Sequence, residues 1–488
     1  MVPNQHERHL LIPERSKQNR NGNNTHSSSE SGSAEFLING RNCVEEGYSE
    51  EYRHTSHRYL EDYESSTCPF KMSRLRWRNR LVKRVLFCIV IVPFLLVTFY
   101  MPELMTNMQT RQAALLDWGY NTSRNIADYV LPENNTVVLE PKHVCDNKIF
   151  LLVVVCSSMQ NFAMRQIIRE TWGNTSNFNY GMFKKLHYRF EGQYLSPTVE
   201  RLKYYSEYLN IPNDDDVTTA PAIIPVKVYF LLGRSRPDAY EYNETTALIR
   251  TESEQYGDII QENFIDTYNN LTLKSVLALK WMNQRCSQRS AFFMKADDDT
   301  FLNMPNLLHY LLGGTIPLYN DTLDLYDTHT YRVLSPRNRF NSTRNYLGGH
   351  LFCSSRPVSV ISNKWYMPYY MFPGDKYPKY LSGSAYVMSA DVVSRLYAAA
   401  LNTTFIHIED VYLTGMCAEK IHLPRRHNAL FSYTRAKDWC SFRGSITQHE
   451  VKDESMLDAY LFVSNTSLYC APPAKYMNKH LRKQIGCV

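Results

Sequence analysis

Three acids close an apolar run in Phe292-Phe293-Met294-Lys295-Ala296-Asp297-Asp298-Asp299. In extended backbone alternate side chains share a face, so Asp297 and Asp299 point together and Asp298 points away. Paired carboxylates at the carboxyl end of a buried strand stand where open α/β sheets bind ligands. Their hard oxygens suit Mn²⁺ or Mg²⁺, which in turn binds a diphosphate; the plainer alternative is a solvated acidic turn. A second acidic pair lies between apolar residues in Ile406-His407-Ile408-Glu409-Asp410-Val411. Burial there raises a carboxyl pKa toward general-base work, while capping of the following helix would use the same side chains. Arg165 and Arg169 are four apart and share one helix face, able to hold phosphates or to form a solvated basic surface. Trp172 reads as core. His449, in Ile446-Thr447-Gln448-His449-Glu450-Val451, carries no signal of its own.

These residues need elements to position them. Ile149 to Val155 is a continuous apolar run of strand length, as expected for a strand covered on both faces. Ala163 to Thr171 reads as a helix, Val226 to Leu232 as a second strand, Phe264 to Met282 as a helix, and Ala291 to Met294 as a third strand leading into the aspartates. Strands alternating with helices indicate an α/β domain with a largely parallel sheet. The stretches 191–225 and 317–337 interrupt this rhythm as loop insertions, and there is no internal repeat.

The first hundred residues differ. Residues 1–70 are polar without a sustained period and bury too little apolar surface to offset ordering entropy. Residues 85–101 carry no charge and would span about 25 Å as helix, close to a thin bilayer. Lys71, Arg74, Arg76, Arg78, Arg80, Lys83 and Arg84 precede that run, which places the N-terminus in the cytosol and residues 102–488 in the lumen. These basic residues outweigh the whole formal charge of +6, so the rest of the chain has no cationic excess for a nucleic acid. The expected organisation is a cytoplasmic tail over 1–84, a signal-anchor over 85–101, a stem over 102–143 and a catalytic domain over 144–488. Initiation at Met72 would shorten the tail. Beyond the span lie Cys145, Cys156, Cys286, Cys353, Cys417, Cys440, Cys470 and Cys487, an even set that suggests disulfides in an oxidising compartment. Asn-x-Ser/Thr acceptors at Asn121, Asn134, Asn174, Asn243, Asn270, Asn320, Asn341, Asn402 and Asn465 fit the same side. The sequence has no Walker A loop, no dinucleotide glycine motif, no zincin HExxH and no GxSxG elbow.

In order along the chain, Arg165–Gly173, Val228–Gly233, Glu254–Cys286, Lys295–Asn303, Lys376–Val392, Glu409–Gly415 and Gln448–Val451 resemble the β-1,3-glycosyltransferase family, over roughly residues 145–455. The sequence departs from the family at Ala385, where a second glycine is usual, and in the two longer insertions. The resemblance implies a GT-A fold, a UDP-sugar donor, a divalent cation such as Mn²⁺, and inversion at the anomeric carbon. It implies Asp299 as main metal ligand, His449 as a second, Asp297 assisting metal and donor binding, Asp410 as base, and Arg165 and Arg169 binding or positioning UDP. It further implies a Golgi membrane enzyme acting on a glycan of a glycoprotein, glycolipid or proteoglycan, with galactose, N-acetylglucosamine or N-acetylgalactosamine as the sugar. A non-catalytic lectin or chaperone on the same scaffold, and a two-carboxylate glycoside hydrolase, are the alternatives. Donor, acceptor, disulfide pairing and oligomeric state stay open at this level.

Overall fold

Every residue of Ile149–Cys156 is apolar, and strand β2 over that range is buried along its whole length. Leu151, Val153 and Val155 enter one apolar cluster while Leu152 and Val154 enter another, which is what a strand between two helical layers requires. The protein is a computed structural model that describes residues 72–174, 181–211, 223–239, 242–325 and 339–472. Residues 1–71 of the expected tail lie outside these residues, as do parts of both insertions.

Strands β1 (Val137–Leu139), β2, β3 (Val226–Arg234), β4 (Ile259–Ile265), β5 (Ser290–Asp297), β7 (Leu347–Phe352), β8 (Tyr380–Ser389) and β9 (Arg425–His427) form one sheet. Its order is β1-β4-β3-β2-β5-β8-β7-β9. The β4-β3-β2-β5 block is parallel, β8 runs antiparallel to both its neighbours, and β1 is antiparallel at the edge. Strands β6 (Phe301–Leu302) and β10 (Thr447–Gln448) make a separate antiparallel pair. The fold is therefore mixed α/β with a largely parallel sheet, as expected, and its antiparallel pairings lie at β8 and at the β1 edge. Strand β8 was the missing piece, because Tyr380–Ser389 carries glycine and serine rather than an unbroken apolar run.

The chain divides into two units, residues 1–82 and 83–488. In the first, helix is described from Met72. Helix α1 is Met72–Gln112, and within it Arg80–Met101 is long and apolar enough to cross a membrane, with mean hydropathy 2.4. The second unit holds the sheet. Helices α2 (Phe162–Glu170), α3 (Tyr242–Tyr256), α4 (Leu271–Arg285), α5 (Ala390–Leu401) and α6 (Glu454–Ser464) pack beside it. The helix expected over Phe264–Met282 begins later, since Phe264 belongs to β4, whose pattern Gln261-Glu262-Asn263 hides an interior strand.

The expected stem over 102–143 is a correction. Trp118 is buried and stacks on Phe405 at 3.8 Å, Ile126 and Val130 are fully buried, and β1 pairs with β4. Residues 113–142 are thus part of the domain rather than a spacer, because their few apolar groups find partners that local sequence does not display. Lys280 of α4 clamps them. Its buried ammonium donates to the carbonyls of Val130 (2.9 Å), Leu131 (3.0 Å) and Asn134 (2.7 Å) and to Thr136 Oγ1 (2.9 Å). Lys280→Met removes the donor that these four acceptors share, and among the described residues only the Leu131 carbonyl keeps a second one, from Asn134 N–H. A loss of about 3 kcal/mol is expected, read as a lower urea midpoint at unchanged m-value.

Cys145 pairs with Cys286 and Cys440 with Cys470, while Cys156 and Cys417 are buried thiols, so the even count of cysteines beyond the apolar span does not mean that all are bridged. Cys156 sits at the end of β2, where burial pushes its thiol up to about 12, so it is inert. Among the acceptor tripeptides Asn270 is exceptional. Its side chain is buried, accepts from Trp118 Nε1 and donates to the Ile265 carbonyl, so it is a core residue in the folded state.

Candidate active site

Strand β5 delivers the aspartates. It ends at Asp297, and the chain turns through Asp298 and Asp299 into β6. Asp298 faces back into the protein, accepting from Ser157 Oγ at 2.7 Å and Asn161 Nδ2 at 2.8 Å, with its N–H donating to the Cys156 carbonyl at 3.2 Å. Asp297 and Asp299 are left on the other side. His449 reaches them because β10 pairs with β6, placing Gln448 opposite Phe301. Its Nδ1 meets the Tyr433 carbonyl at 3.1 Å, which aims Nε2 at Asp299 Oδ1, also 3.1 Å away. The next residue, Glu450, has φ 62°, a left-handed turn that lets Val451 N–H donate to the Asp299 carbonyl.

Ligand atoms of Asp297, Asp299 and His449 all lie within 4.8 Å of one another. Two hard carboxylates and an imidazole nitrogen fit Mn²⁺ or a similar divalent cation in both chemistry and spacing. Their electrostatics differ. Burial raises Asp297 to about 6 despite Lys295 beside it, with the charges of Asp299 and Glu409 adding to the effect. Burial would raise Asp299 too, but the His449 hydrogen bond and charge, with Lys452 at 3.5 Å, hold it below the usual carboxylate range. Burial opposes the charge on His449, yet Asp299 and Asp297 raise its pKa overall.

Lys295 links this cluster to the second acidic pair. It shares the face of Asp297 on β5, and its buried ammonium meets Asp297 Oδ1 at 2.5 Å, the Gly383 carbonyl at 2.5 Å and Glu409 Oε2 at 3.8 Å. Glu409 also accepts from Tyr386 Oη at 2.6 Å, so it is a structural counter-charge inside the domain. Asp410 points elsewhere. It caps the π-helix Val411–Cys417, accepting from Val411 N–H at 2.8 Å, and accepts from Gly383 N–H at 3.2 Å. Both readings of the pair therefore coexist in one residue: Asp410 is a cap and a half-buried carboxylate. Burial, then the charge of Glu409, push it up to about 7, against the pull of its two backbone donors. A Cβ on Gly383 would lie 3.1 Å from Glu409 Oε2 and 3.4 Å from Asp410 Cβ, so any side chain there would press on both acidic residues. Ala385 packs in the apolar core, and its extra methyl does not enter the site.

The two arginines are a correction. Arg165 is fully buried and spends its five donors on Glu252, Ser157 Oγ and the Ser158 and Met159 carbonyls. Arg169 is bidentate to Asp258, bonds Glu252 at 2.8 Å, and lies over Tyr256 at 4.0 Å. Arg165 has no donor left for a phosphate, and two carboxylates match the charge of Arg169, because α3 and the turn before β4 supply acids to both. Arg165 instead positions Ser157.

Ser157 is a residue that sequence reasoning missed. Its Oγ donates to Asp298 and accepts from Arg165, its N–H donates to the Leu231 carbonyl, and its carbonyl accepts from Lys274 at 2.6 Å. Lys274 in turn pairs with Asp266, which accepts from Gly233 N–H. The ends of β2, β3 and β4 are thus tied behind the aspartate turn. Lys295 was closer to legible, since its position two before Asp297 puts both on one strand face.

The sequence profile of the family described as Galactosyltransferase matches residues 214–338 and 325–429, which take in Asp297, Asp299 and Asp410. Beta-1,3-galactosyltransferase 1 of Mus musculus is 28% identical over 327 residues, 67% of this chain and 77% of that protein. Two Danio rerio proteins, lactosylceramide 1,3-N-acetyl-beta-D-glucosaminyltransferases A and B, are 31% and 34% identical, over 64% and 61% of this chain and 66% and 61% of their own lengths. With those matches and the ordered motifs, the chain belongs to the β-1,3-glycosyltransferase family.

Proposed function

We propose that this protein transfers galactose, or an N-acetylhexosamine, from a UDP-sugar to a glycan hydroxyl, forming a β-1,3 linkage with inversion. We place it in the Golgi membrane, anchored by α1 with the sheet domain in the lumen and a GT-A-like donor site. The observation that carries this reading is one cluster at the end of β5: Asp297, Asp299 and His449 converge there, and Gly383 joins Asp410 to it through Lys295. Family membership and the names of the relatives support the sugar and the linkage.

Asp297, Asp299 and His449 would hold the divalent cation. When bound, it would offset negative charge on the diphosphate. Asp410 takes the proton of the attacking acceptor hydroxyl, a task suited to a carboxylate whose pKa lies near neutrality. Attack from the face opposite the diphosphate is a single displacement, so an α-linked donor gives a β-linked product without an enzyme nucleophile. Lys295 keeps the two acidic groups compatible by placing one buried cation between them.

Full-length protein in detergent, given a panel of UDP-sugars and acceptor glycosides with and without Mn²⁺, tests the proposal. Cation-dependent transfer from one donor supports it and names the sugar. Glycan binding without transfer from any donor would favour a lectin or chaperone, and hydrolysis without a donor would favour a glycosidase. In the same assay Ser157→Ala is expected to raise the half-saturating Mn²⁺ concentration about tenfold with a much smaller change in kcat, and Ser157→Thr to restore it. An equal fall in kcat and unchanged metal dependence would remove Ser157 as a positioning residue.

A further inference from the structure

The loop after β7 is fastened to the chain where α1 ends. Tyr366 Oη donates to the carbonyl of Ala113, the residue following Gln112, and Tyr370 Oη accepts from Leu115 N–H and bonds the Trp118 carbonyl. Val358 bridges Tyr366, Met367 N–H donates to Val358, and Asn363 N–H donates to Val360. This folds the loop into a projection with apolar side chains outward: Val360 is 58% exposed, Ile361 49% and Trp365 50%. Tyr369, at 52%, and Tyr120, at 57% and packed on the Tyr370 ring, extend the patch toward the end of α1. Residues 358–371 contain no acid, and Lys364 lies over the Trp365 ring at 4.7 Å. An exposed apolar patch carrying Trp, Tyr and Lys is the composition of a membrane–water interface.

Position supports the same occupant. The apolar window of α1 ends at Met101, and helix continues to Gln112, a rise of about 17 Å before Ala113. The patch is therefore tethered close to whatever bilayer holds that window. The chain after the patch runs through Phe372 and Tyr377, whose rings lie 5.0 Å apart, into β8, where Gly383 N–H meets Asp410 at 3.2 Å. The patch thus leads directly into the strand that holds Asp410.

We infer that the loop Val358–Tyr370 seats the domain on the lumenal leaflet of the bilayer that holds α1, with Val360, Ile361 and Trp365 entering the headgroup region, so that the site favours acceptor glycans carried on membrane lipid. This rests on reading α1 as an anchor, and its acceptor half rests on the proposed transferase.

Full-length protein in phosphatidylcholine nanodiscs, with and without brominated acyl chains, reads the docking without any transfer. Trp365→Phe is expected to lower bromine-dependent quenching about twofold. Ile361→Asp is expected to cut transfer to a lipid-linked acceptor glycoside in the same disc about tenfold, leaving a water-soluble glycoside within about twofold. Unchanged quenching in Trp365→Phe overturns the docking, most clearly if light scattering shows a dimer that Ile361→Asp dissociates, since a second copy would then cover the patch. Equal losses on both acceptors overturn the acceptor preference. Release of the chain from membranes by alkaline wash would sink anchor and docking together. Retention with unchanged quenching would sink the docking alone.

Discussion

Asp410→Asn is expected to lower transfer by about 10³-fold while UDP-sugar binding stays within about twofold of wild type. Asparagine keeps one acceptor oxygen for the Val411 N–H, so the helix cap survives, while the longer bond from Gly383 N–H to the other carboxylate oxygen is lost. What disappears is the proton acceptor. Isothermal calorimetry and a transfer assay separate the two effects, and transfer near wild type would remove Asp410 as base. The pH profile follows from the raised carboxyl. Asp410 must be ionised to accept a proton, so kcat rises with pH, is half-complete near about 7, and is flat above. Stability runs the other way. The folded carboxyl binds its proton more tightly than an unfolded one, so ionisation costs the folded state as pH climbs from about 4 to about 7. Asp410→Asn lacks that cost and is expected to melt higher than wild type at pH 8, a sign that activity and stability compete at this residue.

Asp299→Ala is expected to weaken Mn²⁺ binding by at least about 100-fold and to lower transfer by about 10³-fold at fixed Mn²⁺. Of the clustered carboxylates it is the one held ionised by neighbours, and it bonds the imidazole of His449 directly. His449→Ala should cost less, about tenfold in metal affinity, since both carboxylates remain. Metal titration followed by calorimetry reads both variants. Unaltered Mn²⁺ binding in Asp299→Ala would sink the assignment of this cluster as the cation site. Because the pKa of His449 is raised, Asp297 lies near about 6 and Asp299 sits below the usual carboxylate range, the cation is expected to bind more weakly as pH falls toward 6, with His449 protonating first and Asp299 last.

Much of this was visible in local patterns. The run Ile149–Val155 predicts a strand covered on both faces, and β2 is central in the sheet. The alternation rule separates Asp298 from its neighbours, and the turn after β5 keeps that separation. Where local patterns misled, a particular competitor won. Phe264 joined β4 because polar Gln261 and Glu262 are buried in the strand and concealed it. Arg165 and Arg169 share a helix face as their spacing requires, but Glu252 and Asp258 meet that face first.

The sequence alone determined the apolar window of α1, the buried parallel strands and the carboxylates at the end of β5. Each depends on neighbours within a few residues, where covalent geometry sets the period and sidedness of side chains. Only the tertiary structure decided that His449 meets Asp299, that Gly383 opens a place for Asp410, and that residues 113–142 belong to the domain. Those contacts join segments far apart in the chain. They depend on which strands pair and which helices cover them, and that choice is made by burial of the whole core rather than by any local run of residues.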